Sequence, residues 1–295
     1  MDTRASVIVN ARHLVELSKR LKPALPRSNS MRICIRNILE RRVVGNFYVD
    51  EWPCFTTVVF QCLQPRLSET ADLFCYSTSK HRLLRVLEEN RLVSMGKWQH
   101  IAVVEDDDRS IADYLTKNLR LDGEYSLSPQ DYNVFEFGTY CLLDELKICK
   151  EPCPTGYSIG TLTEEKSHFA ASQGQWFNKL GRPPDIVQEY HKQCVKRLDT
   201  TAIYEGQDVT PVAWGIQWAY DGTIGNVFTL ETHRRRGLAT MVLVESCKAI
   251  LDRDDIPETC AHDDNPSTDM CRKVGFSQIG RMSSIHLHFN NCRIP

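Results

Sequence analysis

The sequence lacks the long apolar runs and the strong net charge that would indicate a membrane protein or a nucleic-acid-binding protein. Among its 295 residues, no apolar run approaches the roughly 18 residues of a membrane span. The formal net charge is −2 and the pI is about 6.5. The chain therefore lacks the excess positive charge that is typical of nucleic-acid-binding proteins. Hydrophobic content of 42% and charged content of 25% are typical of globular proteins. We expect a monomer with neither membrane nor nucleic-acid partners.

The sequence also lacks a secretory apolar segment near Met1, an Asn-x-Ser/Thr acceptor and a zinc-site cysteine pattern. The closest pair of its twelve cysteines, Cys149 and Cys153, has no second pair or histidines at zinc spacing. Residues 1–20 are mildly basic and amphipathic, but Asp2 and Glu16 weaken them as an organelle presequence, and a packed helix is favoured. We therefore expect an intracellular protein with reduced thiols and no metal.

The most informative segment is a strand, a basic turn and a helix between residues 223 and 251. Residues 223–230 predict a strand and 238–251 a helix, and the turn between them contains Arg234-x-x-Gly237-x-Ala239. Free N–H groups and the positive end of the dipole make a helix start a phosphate site, and Gly237 lets backbone approach a ligand. Arginines are disfavoured at a helix start, so three of them indicate an anionic ligand. The alternative is a solvated basic helix start.

The periodicity predicts α/β structure in both halves of the chain. Predicted strands cover 47–49, 56–60, 73–76, 100–104, 157–162, 201–204, 211–218, 223–230 and 258–262, and 276–279 with 284–289 predict a hairpin. Predicted helices cover 11–21, 80–90, 110–121, 163–179, 185–197, 238–251 and 266–274. Pro and Gly cluster in 147–156, so we predict domains at 1–150 and 151–295. In the first domain Arg42-x-x-Gly45 is followed by Phe47 where a phosphate loop needs a small residue.

Two motifs together resemble those of the GNAT acyltransferases. The first is the arginine turn, and the second is Asp263–Phe276, an Asn…Gly-Phe segment at the expected distance. Asp50-Glu-Trp-Pro-x-Phe-Thr-Thr-Val-Val59 and Thr210-Pro-Val-Ala-Trp214 narrow the resemblance to the glycine N-acyltransferase family. The resemblance implies an α/β fold with a mixed sheet and two GNAT-like domains, of which the C-terminal one carries the acyl-CoA site. It also implies a mitochondrial location, with the cytoplasm as the alternative.

The resemblance implies transfer of an acyl group from acyl-coenzyme A, the co-substrate, to a small amine acceptor such as glycine or another amino acid, by direct attack in a ternary complex. The residues expected to bind coenzyme A are Phe228, Thr229, Leu230, Arg234, Arg235, Arg236, Gly237, Leu238, Ala239, Thr240, Asn265 and Ser267. For Asn265 and Ser267, helix capping is an alternative role.

The catalytic residues depart from the family pattern. Thr223 stands where the family has a glutamate base, so Asp221 and His262 are alternative bases. Cys271 stands where many GNAT enzymes have a tyrosine acid. Turn formation for Asp221 and a structural role for His262 are alternatives. Two further hypotheses therefore stay open, which are a GNAT enzyme acting on another amine and an acyl-CoA-binding protein with little turnover.

Overall fold

The computed structural model describes residues 6–8, 10–63, 70–94, 98–105, 110–121, 125–127, 132–146, 153–173, 183–207, 210–261 and 265–287. They form two compact units. One, called here the N-terminal unit, comprises Met1–Gly138 and Gly280–Pro295, and the other, the C-terminal unit, comprises Thr139–Ile279. Within the described ranges, no helix combines the length and the apolar character needed to cross a membrane.

The elements alternate between strands and helices along most of the chain. The strands are β1 (Ser6–Ile8), β2 (Val44–Val49), β3 (Thr57–Leu63), β4 (Thr70–Ser77), β5 (Trp98–Glu105), β6 (Arg120–Leu121), β7 (Tyr125–Ser126), β8 (Tyr132–Leu143), β9 (Tyr157–Gly160), β10 (Thr200–Glu205), β11 (Pro211–Gln217), β12 (Ile224–Thr229), β13 (Glu258–Ala261) and β14 (Phe276–Leu287). The helices are α1 (Ala11–Leu21), α2 (Asn29–Leu39), α3 (Lys80–Glu89), α4 (Ser110–Asn118), α5 (Ser167–Gln173), α6 (Pro184–Arg197), α7 (Leu238–Leu251) and α8 (Ser267–Val274).

The N-terminal unit contains a sheet in the order β1-β2-β3-β4-β5-β14. The β4–β5 pair is parallel, whereas β1–β2, β2–β3, β3–β4 and β5–β14 are antiparallel. Helices α3 and α4 bury their apolar faces against one side of this sheet. Their packing follows the helical spacing, because Leu83, Val86 and Leu87 of α3 recur on one face and are buried there.

Helix α1 begins where the sequence predicts it. The Asn10 side chain accepts a hydrogen bond from the His13 N–H (2.8 Å), which caps the first turn. Leu14, Leu17 and Leu21 recur at spacings of three and four and are buried. The helix prediction for residues 11–21 is confirmed in both bounds, since the cap and the apolar stripe are both local in sequence.

The segment that follows β2 is fixed by a buried carboxylate. Asp50 accepts hydrogen bonds from the Thr56 N–H, the Thr56 hydroxyl, the Thr57 N–H and the Arg82 guanidinium at 2.8–2.9 Å. Burial acts to raise the pKa of Asp50, but these four donors outweigh it, and the pKa lies below its ordinary value. The Asp50-Glu-Trp-Pro53 segment is one of those that carry the resemblance to the glycine N-acyltransferases. The hydrogen bonds of Asp50 hold its first residue in place.

The C-terminal unit contains a sheet in the order β8-β13-β12-β11-β10-β9. Only the β12–β13 pair is parallel, and the other four described pairings are antiparallel. Helix α7 packs against β10, β11 and β12. A Cβ on Gly215 of β11 would lie 2.9 Å from the Val242 side chain, so the missing side chain lets α7 approach the sheet closely.

The terminal hairpin predicted for residues 276–289 is wrong. Residues 276–287 form the single strand β14, and residues 288–289 lie outside the described residues. A Cβ on Gly280 would lie 2.7 Å from the Glu105 carbonyl oxygen. This glycine therefore permits close strand approach and does not mark a turn.

The compact units and the predicted domains differ at two places in the chain. Residues 139–146 belong to the C-terminal unit, since residues 139–142 of β8 pair with β13. Residues 281–287 of β14 pair with β5 in the N-terminal unit. The domain division at residues 1–150 and 151–295 stays a prediction. A local cluster of Pro and Gly between residues 147 and 156 carries no information about these distant strand pairings.

We expect Asp50→Asn to lower the free energy of unfolding by about 2 kcal/mol at pH 7, because a charged hydrogen-bond acceptor is lost. The pKa of Asp50 in the folded state lies below its ordinary value of 3.8. Its contribution is therefore present above that value and is lost as the pH falls through the lower folded pKa. Urea unfolding of wild type and variant, at pH 7 and in steps below pH 4, checks this. An unfolding difference that does not shrink in acid would contradict it.

Candidate functional site

The basic turn joins β12 to α7 through two residues in the left-handed region. A short 3-10 turn at Glu231–His233 follows β12. Arg235 has φ 66° and Gly237 has φ 78°. Left-handed residues interspersed in a turn direct successive N–H groups toward a common concavity, which is suited to an anion. For arginine this conformation is uncommon, so the turn at Arg235 is held by its surroundings.

The start of α7 is open to a ligand. Gly237 is the N-cap and supplies no side-chain cap, and the Met241 N–H donates to the Gly237 carbonyl at 3.1 Å. The preceding N–H groups, of Leu238, Ala239 and Thr240, have no partner within the helix. A Cβ on Gly237 would meet no atom within 4 Å. These features fit a phosphate group at the helix start, as the sequence predicts.

The three arginines of the turn differ in their protein contacts. Arg234 donates from Nε to the Thr229 carbonyl (3.2 Å), and its guanidinium lies 5.8 Å from the Phe228 ring centroid. Arg236 donates to the Tyr157 hydroxyl and the Thr232 carbonyl. Arg235 is exposed and makes no hydrogen bond or ion pair with any residue in the described ranges. The arginine best placed to contact an anionic ligand is therefore Arg235.

A carboxylate balances part of this positive charge. Glu205 lies 3.1 Å from His233 Nε2 and 3.9 Å from the Arg236 guanidinium. The hydrogen bond to His233 is the main cause of a lowered pKa at Glu205. Because Arg236 and His233 share this carboxylate, the net positive charge of the turn is smaller than its arginine count indicates.

The two parallel strands of the C-terminal unit, β12 and β13, share a short pairing in the described residues. The described register joins β12 and β13 at one residue pair, Ile224 with Thr259, and the Thr259 hydroxyl donates to the Ile224 carbonyl (2.8 Å). Beyond that pair β12 contains a bulge, since Asn226 and Val227 both oppose Gly215 of β11. No further pairing joins β12 to β13 among the described residues, so in this part of the chain the edge of β12 after Ile224 can accept a ligand.

The end of β12 presents polar groups along this edge. The Leu230 N–H donates to the Val212 carbonyl of β11 (2.9 Å). Because strand residues alternate, the N–H and carbonyl of Thr229 face the opposite edge. The Thr229 hydroxyl oxygen is buried and has no hydrogen-bond partner among the described residues. Of the three predicted contacts Phe228, Thr229 and Leu230, the backbone of Thr229 is thus the one directed to the strand gap.

A buried histidine holds the bulge on the face of the sheet that carries α6. His191 is buried, its Nδ1 lies 2.9 Å from the Val187 carbonyl, and its Nε2 lies 3.1 Å from Asn226 Nδ2. Burial lowers the pKa of His191 from 6.5 to about 4, so the ring is neutral at pH 7. A carbonyl can only accept, so Nδ1 carries the proton and Nε2 accepts from the Asn226 amide. Asn226 itself has φ 47°.

Asp221 and Thr223, two of the predicted catalytic residues, are bound to each other. Both are buried, and Asp221 Oδ1 accepts hydrogen bonds from the Thr223 N–H and hydroxyl, each at 3.0 Å. They lie in the turn between β11 and β12, where an aspartate commonly bonds to backbone two residues on. This geometry supports the turn-forming alternative, and a catalytic role for either residue stays a prediction.

Cys271, predicted as a general acid, lies in the hydrophobic core of the C-terminal unit. It packs with apolar residues of β8, α7 and α8. Burial, followed by the neighbouring Cys141 thiol, raises the pKa of Cys271 to about 12. The thiol therefore stays protonated at pH 7, which disfavours a nucleophilic thiolate. Its role as an acid stays a prediction.

The second motif contributes a helix cap. Asn265 Oδ1 accepts from the Ser267 N–H (3.0 Å) at the start of α8. This bond supports the capping alternative for Asn265, while coenzyme A contacts of Asn265 and Ser267 stay predictions. His262, the third predicted base, lies outside the described residues.

Two polar pairs of the C-terminal unit were missed at the level of sequence. They are His191 with Asn226, and Tyr140 with Glu258, in which the Tyr140 hydroxyl donates to the buried carboxylate. Gly225-Asn226 inside a strand pattern is a bulge signal, so Asn226 could have been found. Its partner could not, since 35 residues separate the two in sequence.

We expect the His191 imidazole to stay neutral between pH 7 and pH 5, because charging it would bury a cation. Its folded pKa of about 4 lies below 6.5, so its stabilising effect is full above pH 6.5 and is lost as the pH falls. The loss amounts to about 3 kcal/mol by pH 4. Imidazole NMR titration checks the pKa, and urea unfolding of wild type against His191→Gln checks the stability. A titration midpoint near 6.5 would refute the assignment.

Comparisons with known proteins agree with this geometry. Residues 201–284 match a family described as FR47-like protein. No curated protein sequence matches the chain significantly. A solved Drosophila protein is similar at 13% identity with a TM-score of 0.70, covering 96% of this chain and 98% of that one.

Two further solved structures carry informative names. A GCN5-related N-acetyltransferase from Kribbella flavida is similar at 13% identity and a TM-score of 0.53, covering 87% of this chain and 94% of that one. A tandem GNAT protein from the clavulanic acid biosynthesis pathway is similar at 12% identity and a TM-score of 0.52, covering 98% and 100%. The predicted fold class is therefore confirmed, and this chain has a mixed α/β fold with two GNAT-like domains.

Proposed function

We propose that this chain is an N-acyltransferase that moves an acyl group from acyl-coenzyme A to the amine of a small acceptor. The observation that carries the proposal is the juxtaposition of an uncapped helix start at Gly237 with the open edge of β12. The helix start suits a pyrophosphate, and the edge suits the amides of a pantetheine arm. The FR47-like match over residues 201–284 supports the same assignment.

The residues of the turn would hold the donor. The N–H groups of Leu238, Ala239 and Thr240 and the Arg235 guanidinium would contact the phosphates, and the Thr229 N–H would pair along the pantetheine. In the reaction the amine nitrogen forms a bond to the thioester carbon, and the carbon–sulfur bond breaks. The nitrogen loses a proton to water or to a base, and coenzyme A leaves as a thiolate that takes up a proton from water. An N–H donor facing the gap stabilises the oxyanion that forms between these steps.

For the acceptor we propose glycine or another amino acid. The support is the resemblance of Asp50–Val59 and Thr210–Trp214 to the glycine N-acyltransferases. The same resemblance supports a mitochondrial location, with a cytoplasmic location as the alternative, and we propose that the chain acts as a monomer. An enzyme of the same fold acting on an arylalkylamine or polyamine is the closest alternative.

A second candidate is an acyl-CoA-binding protein with little turnover. The observation in its favour is that Asp221 and Thr223 bond to each other and Cys271 lies in the core. Asp221 and Thr223 therefore already have hydrogen-bond partners in each other, and the Cys271 thiol has apolar neighbours.

Coenzyme A release separates these candidates. Purified protein is mixed with acetyl-CoA or a longer acyl-CoA, a thiol reagent and single amines from a panel of glycine, glutamine, 2-phenylethylamine and spermidine. We expect release with glycine or glutamine. Release with 2-phenylethylamine or spermidine alone would show that the acceptor is another kind of amine and not an amino acid. Tight acyl-CoA binding without release would support the second candidate, an acyl-CoA-binding protein. Neither binding nor release would reject the proposal.

We expect Gly237→Asp to weaken acyl-CoA binding at least tenfold more than Gly237→Asn. Both residues tolerate the left-handed φ of 78°, and no atom lies within 4 Å of the added Cβ. The two side chains have the same shape, but only aspartate places a negative charge beside the proposed phosphates. Calorimetric titration measures the affinities, and equal melting temperatures control for folding. Equal affinity of the two variants would place the pyrophosphate elsewhere.

A further inference from the structure

The strongest unassigned feature is the side-chain amide of Asn226 at the bulge of β12. Its Nδ2 donates to His191 Nε2, and its Oδ1 has no hydrogen-bond partner among the described residues. The amide cannot reverse, since a neutral His191 whose Nδ1 proton goes to the Val187 carbonyl offers only a lone pair at Nε2. The oxygen of Asn226 is therefore held as an acceptor pointing away from His191.

Asn226 lies where β12 has already left β13. The strands pair at Ile224 and Thr259, and Asn226 follows two residues later. From Asn226 to Thr229 the edge of β12 extends roughly 10 Å toward the helix start at Gly237. The side chain of Asn226 points to the face that carries α6, whereas α7 packs on the face of Gly215 and Val242. The Asn226 amide thus lies on the face opposite the helix that carries the anion site.

The position tolerates little besides asparagine or glycine. Asn226 has φ 47°, a conformation that asparagine accepts more readily than most residues. The side chain is partly exposed, so a ligand in the strand gap can reach it. The Asn226 oxygen, a fixed and partly exposed hydrogen-bond acceptor on a bulge, can therefore orient a donor group of a ligand.

We infer that Asn226 binds the acceptor amine. Its Oδ1 accepts a hydrogen bond from the nitrogen of a primary amine or ammonium, and this bond orients the nitrogen toward the strand gap from the α6 face. His191 is a positioning residue, since it fixes which end of the Asn226 amide faces the ligand. The inference rests on the proposed acyl transfer, and it assigns the acceptor side of that site.

The chemistry fits an amine better than a carboxylate or a phosphate. An amide oxygen can accept but cannot donate, so it repels an anion and attracts an N–H group. A neutral amide also leaves the proton balance of the amine unchanged. The residue therefore orients the nucleophile without acting as its base.

The test replaces Asn226 by glycine. Glycine adopts the positive φ without strain, so Asn226→Gly keeps the bulge and removes only the side chain. We expect kcat/KM for the amine to fall roughly tenfold or more, as the loss of one hydrogen bond to a charged group predicts, while the Kd for acyl-CoA stays unchanged. Asp254→Gly is the matched control, because Asp254 also has a positive φ (55°) but lies in the turn after α7. Its amine kinetics should equal wild type.

Two replacements of His191 test the positioning role. The polar end of glutamine occupies the place of Nε2, and that of asparagine occupies the place of Nδ1. His191→Gln should therefore keep an acceptor for Asn226 and retain amine kcat/KM, whereas His191→Asn should lower it with an unchanged acyl-CoA Kd. Melting temperatures of both variants monitor folding. If both variants lose amine affinity and acyl-CoA affinity equally, His191 has only a structural role and the positioning role is contradicted.

A direct measurement separates this inference from the proposed function. The side-chain amide signals of Asn226, assigned by their loss in Asn226→Gly, are followed by NMR during titration with glycine and with 2-phenylethylamine, in the presence of coenzyme A. Saturable shifts support amine binding even if no turnover occurs. If wild type turns over and Asn226→Gly has the same amine kcat/KM, the inference fails and the proposed function stands. Absent shifts with both amines, together with absent turnover, would overturn both.

Discussion

The candidate site depends on one constraint, which is that β12 and β13 pair at Ile224 and Thr259 and at no later position among the described residues. A parallel pair that continued to the strand ends would use the N–H and carbonyl groups of β12 within the sheet. The bulge at Asn226 and Val227 prevents this on the β12 side. Gly225 permits the turn of the strand, because a Cβ there would lie 1.8 Å from Trp218 Nε1. The missing side chain of Gly225 therefore lets Trp218 pack directly against the strand where the bulge begins.

Some polar groups around this edge bond to other protein groups, and others are left for a ligand. Arg234, Arg236 and His233 have protein partners, and Glu205 carries charge opposite to theirs. Arg235, the Thr229 N–H and the start of α7 have no protein partner among the described residues. Such a division lets the turn keep its shape before a ligand binds, which lowers the ordering cost of binding. Arg234 and Arg236 therefore help to hold the turn, and their contacts with coenzyme A stay predictions.

The features that could be predicted from the sequence are those that residues close together in the chain determine. The bounds of α1 follow from its cap and its periodicity, those of α7 follow from its periodicity, and the phosphate-type turn follows from Arg234, Gly237 and Ala239. The partnership of His191 with Asn226 depends on how α6 packs on the sheet, which no local pattern encodes. The role of Gly280 could not be predicted from local sequence either. A glycine that lets two strands approach closely looks the same in sequence as a glycine in a turn.

The burial of the candidate acids and bases changes what the proposed reaction requires. Asp221, Thr223 and Cys271 are engaged in a turn or a core, and His191 is neutral and donates its proton to a carbonyl. Coenzyme A thiolate is a good leaving group, so the reaction can proceed without a strong acid. The amine of a free amino acid is mostly protonated at pH 7, so its proton must pass to water or to a base before the nitrogen attacks. Orientation of the neutral amine can supply a large share of the acceleration, and the proposed hydrogen bond to Asn226 would provide that orientation.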